Sequence, residues 1–390
     1  MTATVSINAI SNAQHWEGKS YLNTAAEGLP LLSAVDAVQE YLFDKTHGEP
    51  GRVQFWHRYE RAKELAGELF SVDADQIALI SSTTEALNTI ANSIDWRPGD
   101  EVVFTSSEFP SNIFPWVTLQ KRGVKLRIVH PGADGVSVDE LLEQINERTR
   151  LVTVSQVSYA TGQRIDPAPI WRRVKDTETL LCVDATQAAA RVPIDGQMAD
   201  FTVASAFKWM NSIHGAAVMS VSRRVLAQDV VGPAGWLSTE NCFADDRLEA
   251  FHPRGDAQRF QAGMPNFDSI YSLAAALEFH TPDAVAARAK TMAPLVSSLR
   301  ASLVEMGLTP LVPESEASQA GIVPFAYNGS AEMKKQLAER GIFVQGDDRR
   351  IRAALHWYNT EEDVQRYLGA LRELIDESQL PTAPLAGSRR

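Results

Sequence analysis

Between Asp75 and Val221, short runs of β-branched and apolar residues alternate with stretches of helical periodicity. Seven runs read as strands: Ile77–Ile80, Glu101–Thr105, Lys125–Val129, Leu151–Ser155, Thr179–Val183, Phe201–Ala204 and Ala217–Val221. Between them, Glu85–Ile94, Asn112–Arg122, Val138–Asn146 and Pro169–Lys175 read as helices. Such alternation predicts an α/β domain with a mostly parallel seven-stranded sheet, covered by helices on both faces. Beyond about Pro265 the texture changes. Helical patterns dominate at Ile270–His280, Asp283–Met306, Ala331–Arg340 and Thr360–Glu377, with short strands near Ala320–Ala326 and Arg350–Leu355. The chain is therefore divided into an arm over 1–20, a large domain over 21–264 and a smaller α+β domain over 265–390. The arm is expected to pack with the smaller domain, and the Pro-, Gly- and Arg-rich tail after about Ser378 to be mobile.

Length and composition narrow the function classes. A chain of 390 residues exceeds one compact core and suits two or three domains. The net charge is −12 and no window concentrates Lys and Arg, which argues against a nucleic-acid partner. The first twenty residues lack a basic start followed by an apolar run, and no stretch approaches eighteen consecutive apolar residues. Neither a signal peptide nor a membrane span is expected. Only Cys182 and Cys242 occur, in no CxxC pair, so a disulfide scaffold and a cysteine metal site are excluded and a reducing cytoplasm fits.

In open α/β sheets, ligands gather beyond the C-terminal ends of the strands, so the residues just after each run carry the information. Leu180-Leu181-Cys182-Val183 ends on Asp184. A carboxylate there is costly unless paired. It either caps the following helix or holds the pyridine nitrogen of pyridoxal phosphate in its protonated form. Asp200-Phe201-Thr202-Val203-Ala204 leads to Ser205 and then to Lys208, which is flanked by Phe207, Trp209 and Met210. An apolar setting lowers an amine's pKa and favours Schiff-base chemistry, whereas an ordinary lysine would lay its stem along such a surface and keep its charge in water. The two groups strengthen each other, because both fall at strand ends in consecutive strand–helix units.

Ser81-Ser82-Thr83-Thr84-Glu85 opens a helix after Ile80, and hydroxyls beside free backbone N–H groups suit an anion such as phosphate. The same letters also form a capping box of Ser82 with Glu85. Phe109 after the Thr105 strand could lie against a cofactor ring or simply pack. Arg352, in Arg350-Ile351-Arg352-Ala353-Ala354-Leu355, suits two-pronged capture of a carboxylate, or a surface ion pair.

Together these pieces resemble the class V aminotransferases of fold-type I pyridoxal-phosphate enzymes. That family holds cysteine desulfurases, selenocysteine lyases, kynureninase, epimerase-like proteins and C–S lyases. The likeness runs from about Tyr21 to Leu371. It rests on Tyr21-Leu22-Asn23-Thr24-Ala25-Ala26, Thr83-Thr84-Glu85-Ala86-Leu87-Asn88, Glu108-Phe109-Pro110-Ser111-Asn112, Val183-Asp184-Ala185-Thr186-Gln187, Ser205 to Lys208, Ala262-Gly263-Met264-Pro265-Asn266 and Ile351-Arg352-Ala353-Ala354-Leu355. The resemblance implies pyridoxal 5′-phosphate as cofactor, an amino-acid substrate and an active site shared across a homodimer. It implies Lys208 as the Schiff-base lysine and proton carrier, Asp184 as the pyridinium partner, and Gln187 as donor to the phenolic oxygen. Phe109 would stack on the ring, and Thr83, Thr84 and Ser205 would hold the phosphate. Arg352 would take the substrate carboxylate, with Tyr159 and Asn23 beside it.

Three departures from the family pattern matter. Phe207 stands where the family has a phosphate-binding His or Tyr, and Met264 where many members have a Thr that reaches the partner's phosphate. Comparatively loose cofactor binding is expected unless Thr84, His214 or a water compensates. The segment Gly341-Ile342-Phe343-Val344-Gln345-Gly346-Asp347-Asp348-Arg349 lacks the cysteine on which desulfurases carry sulfur. With Tyr159-Ala160-Thr161-Gly162-Gln163 close to the C–S lyase pattern, the resemblance favours β-elimination from a cysteine-like amino acid, with aminotransferase or epimerase as alternatives. A nicotinamide dehydrogenase is disfavoured, because no GxGxxG follows an early strand. A non-catalytic pyridoxal-phosphate regulator would carry an N-terminal DNA-binding module, and only about twenty residues precede Tyr21.

Overall fold

The strands, numbered in chain order, are β1 Ser20–Tyr21, β2 Ile77–Ile80, β3 Glu101–Thr105, β4 Lys125–Val129, β5 Thr149–Ser155, β6 Leu180–Asp184, β7 Phe201–Ser205, β8 Ala217–Val221, β9 Ile322–Ala326, β10 Ile342–Phe343, β11 Gln345–Asp347 and β12 Arg350–Ala354. They belong to a computed structural model that describes residues 7–132, 135–228, 230, 232–347 and 349–378. The tail expected beyond Ser378 lies outside the described residues.

Seven strands form one sheet in the order β2-β8-β7-β6-β5-β3-β4, and β8 alone runs against the others. Strands β2, β3, β6, β7 and β8 are buried along their whole length, as expected where helices cover both faces. Strand β4, at the edge, is largely open. Because six strands share a direction, the residues that end β5, β6 and β7 and those that follow β2 and β3 come out at one edge of the sheet.

Two helices not anticipated from the pattern, Leu32–Lys45 and Arg52–Phe70, pack against the helix Phe267–Phe279. In the second, Phe55, Tyr59, Ala62, Leu65, Ala66 and Leu69 recur every three or four residues and form its buried face. The helix expected over Asn112–Arg122 is broken into a 3-10 turn at Pro110–Asn112, a short α-helix at Phe114–Thr118 and a second 3-10 turn at Leu119–Arg122. Pro110 and Pro115 lack the N–H a continuous helix needs, and Pro110 pushes the residue before it out of helical geometry. Phe109 accordingly sits at φ −66°, ψ 145°.

A second, three-stranded antiparallel sheet has the order β11-β12-β9. Its core includes Leu299, Leu303, Val323, Phe325, Leu337, Ile351 and Tyr367, together with Leu22 from the N-terminal segment. That segment is stitched in: β1 pairs with β10, and the Leu22 carbonyl accepts from Ala354 N at 2.8 Å. The chain then crosses to the large sheet, where Gly28 N donates to the Phe207 carbonyl and Leu31 N to the Asn211 carbonyl, each at 2.9 Å. No helix among the described residues is long and apolar enough to cross a membrane.

Candidate active site

At the shared edge of the large sheet a cavity of about 150 Å³ is lined by Ser82, Thr83, Thr84, Phe109, Ser111, Ser155, Val157, Tyr159, Asp184, Thr186, Gln187, Ser205, Phe207 and Lys208. Residues 126 positions apart in sequence thus meet in one wall, each delivered by a strand end or by the turn after it.

Asp184 is the last residue of β6, paired in register with Ser155 of β5. Its Oδ1 accepts from Thr186 N at 2.8 Å. Burial raises its pKa, while the Thr186 bonds and the Lys208 charge oppose the rise. Lys208 follows β7, and its Nζ lies 5.4 Å from the ring centres of both Phe109 and Phe207. Burial brings the lysine down to about 8, with Asp184 opposing and the Arg352 charge reinforcing the fall. Desolvation therefore pushes both groups toward their neutral forms, the state of a carboxyl that lacks a cation and of an amine ready to act as a nucleophile.

Ser82 caps the helix Thr83–Ser93, its hydroxyl accepting from Glu85 N at 3.1 Å. Glu85 does not complete the box on Ser82; its carboxylate instead takes Ser81 N at 3.1 Å. The capping reading holds for Ser82, and the hydroxyls of the same turn are left to other partners. Thr83 Oγ1 shares hydrogen bonds with Ser205 Oγ at 2.8 Å and Thr186 Oγ1 at 3.0 Å, a triangle of hydroxyls at a helix N-terminus. Gln187 accepts from Trp209 Nε1 at 2.6 Å and donates one Nε2 proton to the Ala25 carbonyl at 3.0 Å, which leaves its second proton for the cavity.

Phe109 is 41% exposed and meets Tyr159 edge-on, ring centres 5.1 Å apart. Beneath it, Glu108 is fully buried. Its carboxylate accepts from Ser155 N at 2.9 Å, Asn112 Nδ2 at 2.9 Å and Thr105 Oγ1 at 3.2 Å, and from the Ser155 hydroxyl. Burial nonetheless lifts it to about 7. Arg352 lies outside the cavity wall and donates through Nη1 to the Tyr159 carbonyl at 2.9 Å. Asn23 also lies outside the wall; it bridges to Ala354, the last residue of Arg352's strand, and its buried Oδ1 has no hydrogen-bond partner among the described residues.

The loop that carries Lys208 is held from both sides. On one side Gly28 packs so closely that a Cβ there would lie 1.9 Å from the Lys208 carbonyl oxygen. On the other, Asn211 adopts a left-handed conformation at φ 54°, and its Oδ1 is reached by His356 Nε2, His280 Nε2 and Trp357 Nε1 at 3.0 to 3.1 Å. Burial keeps both histidines well below their usual pKa, so they stand there neutral.

The hydroxyl triangle, the cation-seeking Asp184 and the desolvated Lys208 form a donor set that fits pyridoxal phosphate. Thr186 and Ser155 escaped the sequence reading as site residues, although Thr186 lies inside the Asp184–Gln187 motif. His214, considered as a replacement phosphate donor, is not in the wall: its ring stacks on Phe207 at 4.0 Å and its Nε2 bonds the Glu27 carboxylate at 2.9 Å. Met264 is 51% exposed and lies near Ser81 and Glu85, in a neighbouring groove. Among the described residues no cluster of His, Cys, Asp and Glu could hold a metal ion.

Comparison with known proteins bears on the fold and the family. A probable cysteine desulfurase of Pyrococcus abyssi is 25% identical over 380 residues, covering 91% of this chain and 94% of the relative. The apo structure of a cysteine desulfurase from Thermococcus onnurineus NA1 superposes with a TM-score of 0.85 at 23% identity, covering 95% of this chain and 97% of the other. The cystine C–S lyase C-DES, solved with its product cysteine persulfide, superposes at 0.83 with 21% identity, covering 92% and 98%. The profile of the Aminotransferase class-V family matches residues 20–367, and the chain belongs to that family of fold-type I pyridoxal-phosphate enzymes, as its motifs led us to expect.

Proposed function

We propose that this enzyme is a C–S lyase, eliminating the β-substituent of a cysteine-like amino acid without forming a persulfide on its own chain. The observation that carries the reading is the absence of sulfur from the pocket wall: among the described residues no cysteine lines it. Cys182 is wholly buried in β6 and its thiol is pushed far up by burial, so its thiolate is not formed. Cys242 is partly exposed in a loop, and the turn before Arg350 carries none. C-DES, which shares the fold, is itself a cystine C–S lyase.

Each residue then has a task. Thr83, Thr186 and Ser205 would hold the phosphate, helped by the helix N-terminus and Thr84. Asp184 would keep a ring nitrogen protonated, and that ionic contact would offset the cost of its own burial. When bound, the cofactor supplies an electron sink for charge released at the substrate's Cα. Arg352 orients the α-carboxylate, with Asn23 and Tyr159 at its side. Lys208 removes the Cα proton, a transfer for which an amine near 8 is well matched at neutral pH. The sulfur substituent leaves from Cβ to solvent, because no protein thiol stands in its way.

A homodimer with a shared site and a cytoplasmic setting complete the reading. Phe109, Phe114, Phe243, Leu248 and Phe251 are exposed apolar side chains of the kind that a second copy would cover, and two unpaired cysteines suit a reducing compartment. The test is product analysis: purified holoenzyme is offered cystine, cysteine and sulfur-free amino acids, and pyruvate, sulfide and keto acids are measured. Pyruvate from sulfur amino acids, retained in Cys242→Ser, is the expected result. Keto acids from sulfur-free amino acids without pyruvate, or a substrate-dependent persulfide on Cys242 with activity lost in Cys242→Ser, would overturn the proposal.

A further inference from the structure

Away from the active site a second cavity, of about 450 Å³, opens between the large sheet's side of the molecule and the small sheet; its walls include Arg164, Arg191, Lys290, Glu316 and Gln319. Arg191 is only 3% exposed. Its guanidinium donates through Nη2 to the Ala320 carbonyl at 2.6 Å and through Nε to the Leu355 carbonyl at 3.1 Å. Its Nη1 makes no hydrogen bond among the described residues, and no carboxylate pairs with it. Burial, and after it the neighbouring Arg164 charge, lower this arginine to about 10, and at neutral pH it stays charged.

Arg164 has the same deficit. Burial lowers its pKa, only the field of Asp166 opposes the fall, and its side chain makes no ion pair among the described residues. Lys290 adds a third positive charge and Glu316, exposed on the rim, a single negative one. A buried guanidinium without a counter-charge is unfavourable, and the charge of the half-buried Arg164 near Arg191 makes it more so. The chain as a whole carries a net charge of −12, so a pocket with a surplus of cations stands out against its surroundings.

We propose that this cavity binds a small multivalent oxyanion, a phosphate or paired carboxylates, gripped by the forked donors of Arg164 and Arg191 with Lys290 at the mouth. The site goes beyond the lyase reading and does not depend on it. Its position gives it a purpose. The Leu355 carbonyl held by Arg191 lies three residues past Arg352 on the β12 segment, and the Ala320 carbonyl lies just before β9. Arg164 N donates to the Ser318 carbonyl at 2.8 Å, and the residue bridges to Val157 in the active-site wall. An anion here ties the small sheet to the loop that carries Tyr159, so its occupancy sets how firmly Arg352 is presented to the substrate.

The test uses holoenzyme, in which the active site's own phosphate position is filled by the cofactor. Inorganic phosphate and citrate are titrated separately by calorimetry at constant ionic strength, against wild type, Arg164→Gln and Lys290→Gln. Saturable binding of at least one anion, weakened tenfold or more in both variants while the cofactor's visible absorbance is unchanged, is expected. Phosphate alone binding assigns a phosphate ligand, and citrate alone a polycarboxylate. If neither anion binds saturably, or if both variants bind as wild type does, the proposal fails.

Discussion

Replacing Gly28 with alanine tests how tightly the backbone positions the lysine. A Cβ at this residue would sit 1.9 Å from the Lys208 carbonyl oxygen and 2.8 Å from that of Phe207. Both obstacles are backbone, so no side chain can rotate away, and the closer gap must open past 3.0 Å. Overpacking of this kind costs about 1–3 kcal/mol. Loss of the Gly28 N to Phe207 carbonyl bond adds about 1 kcal/mol. The displacement is close to an ångström in the backbone of Lys208 itself, and misplacement on that scale lowers a rate by about 10²-fold. Gly28→Ala is therefore expected to shift the urea midpoint down and reduce kcat by about two orders of magnitude, with the cofactor absorbance weakened. Gly369→Ala is the control: it lies in the helix Glu361–Ser378 with nothing within 4 Å of its Cβ position. That change should add about 0.5–1 kcal/mol of stability and leave kcat alone. Wild-type kcat and midpoint in Gly28→Ala would show that the two loops yield freely and that the close approach holds nothing in place.

Lys208→Ala should abolish both turnover and the visible absorbance of bound cofactor while the far-UV dichroism stays native; a yellow, active variant would refute its role. Asp184→Asn should retain some cofactor and lose about 10²–10³ in kcat, the scale of removing one preorganised electrostatic partner, and near-native kcat would reduce Asp184 to a structural cap. Uptake of cofactor by apoprotein needs the neutral amine of Lys208, so its rate should climb as pH rises through about 8 and level off above; a flat profile from pH 6.5 to 9 in stopped-flow absorbance would contradict the desolvated lysine. Phe207→His should tighten cofactor retention during dialysis, since it restores a donor in the wall, and equal retention would show that the hydroxyl triangle already suffices.

The elements that could be read from the sequence were those whose signal is local. Strands β2, β3, β4 and β8 match the runs read from the sequence residue for residue; β2, β3 and β8 are buried along their whole length, as a strand covered on both faces should be, while β4 at the open edge keeps only Leu126, Ile128 and Val129 as its apolar signal. Asp184 and Lys208 were singled out by the rule that such strands deliver their chemistry at one end, and Ser205 by the resemblance to the family. What stayed hidden depends on distant partners. Glu108 reads as one letter of a loop motif; its burial exists because Ser155, 47 residues on, supplies the hydrogen bonds. Thr186 joins the hydroxyl triangle only because β6 and β7 bring it to Thr83, 103 residues earlier. His214 could not be placed from sequence, since its choice of Glu27 over the pocket spans 187 residues. Strands β10 and β11, two and three residues long, are too short for any periodicity to show.

The segment from Ser20 to Leu31 is fastened at one end to the small sheet, through Ile342, Phe343 and Ala354, and at the other to the turn that bears Lys208. Mechanically it is a tie-rod between two bodies. Any rotation of the three-stranded sheet against the seven-stranded one must stretch, slacken or carry this segment, and its far anchor is the residue next to the reactive amine. Arg352 rides on the first body and Lys208 on the second, so the group proposed to grip the substrate and the group proposed to move its proton are linked through this segment. Strain applied to either is felt at the other within the length of a dozen residues.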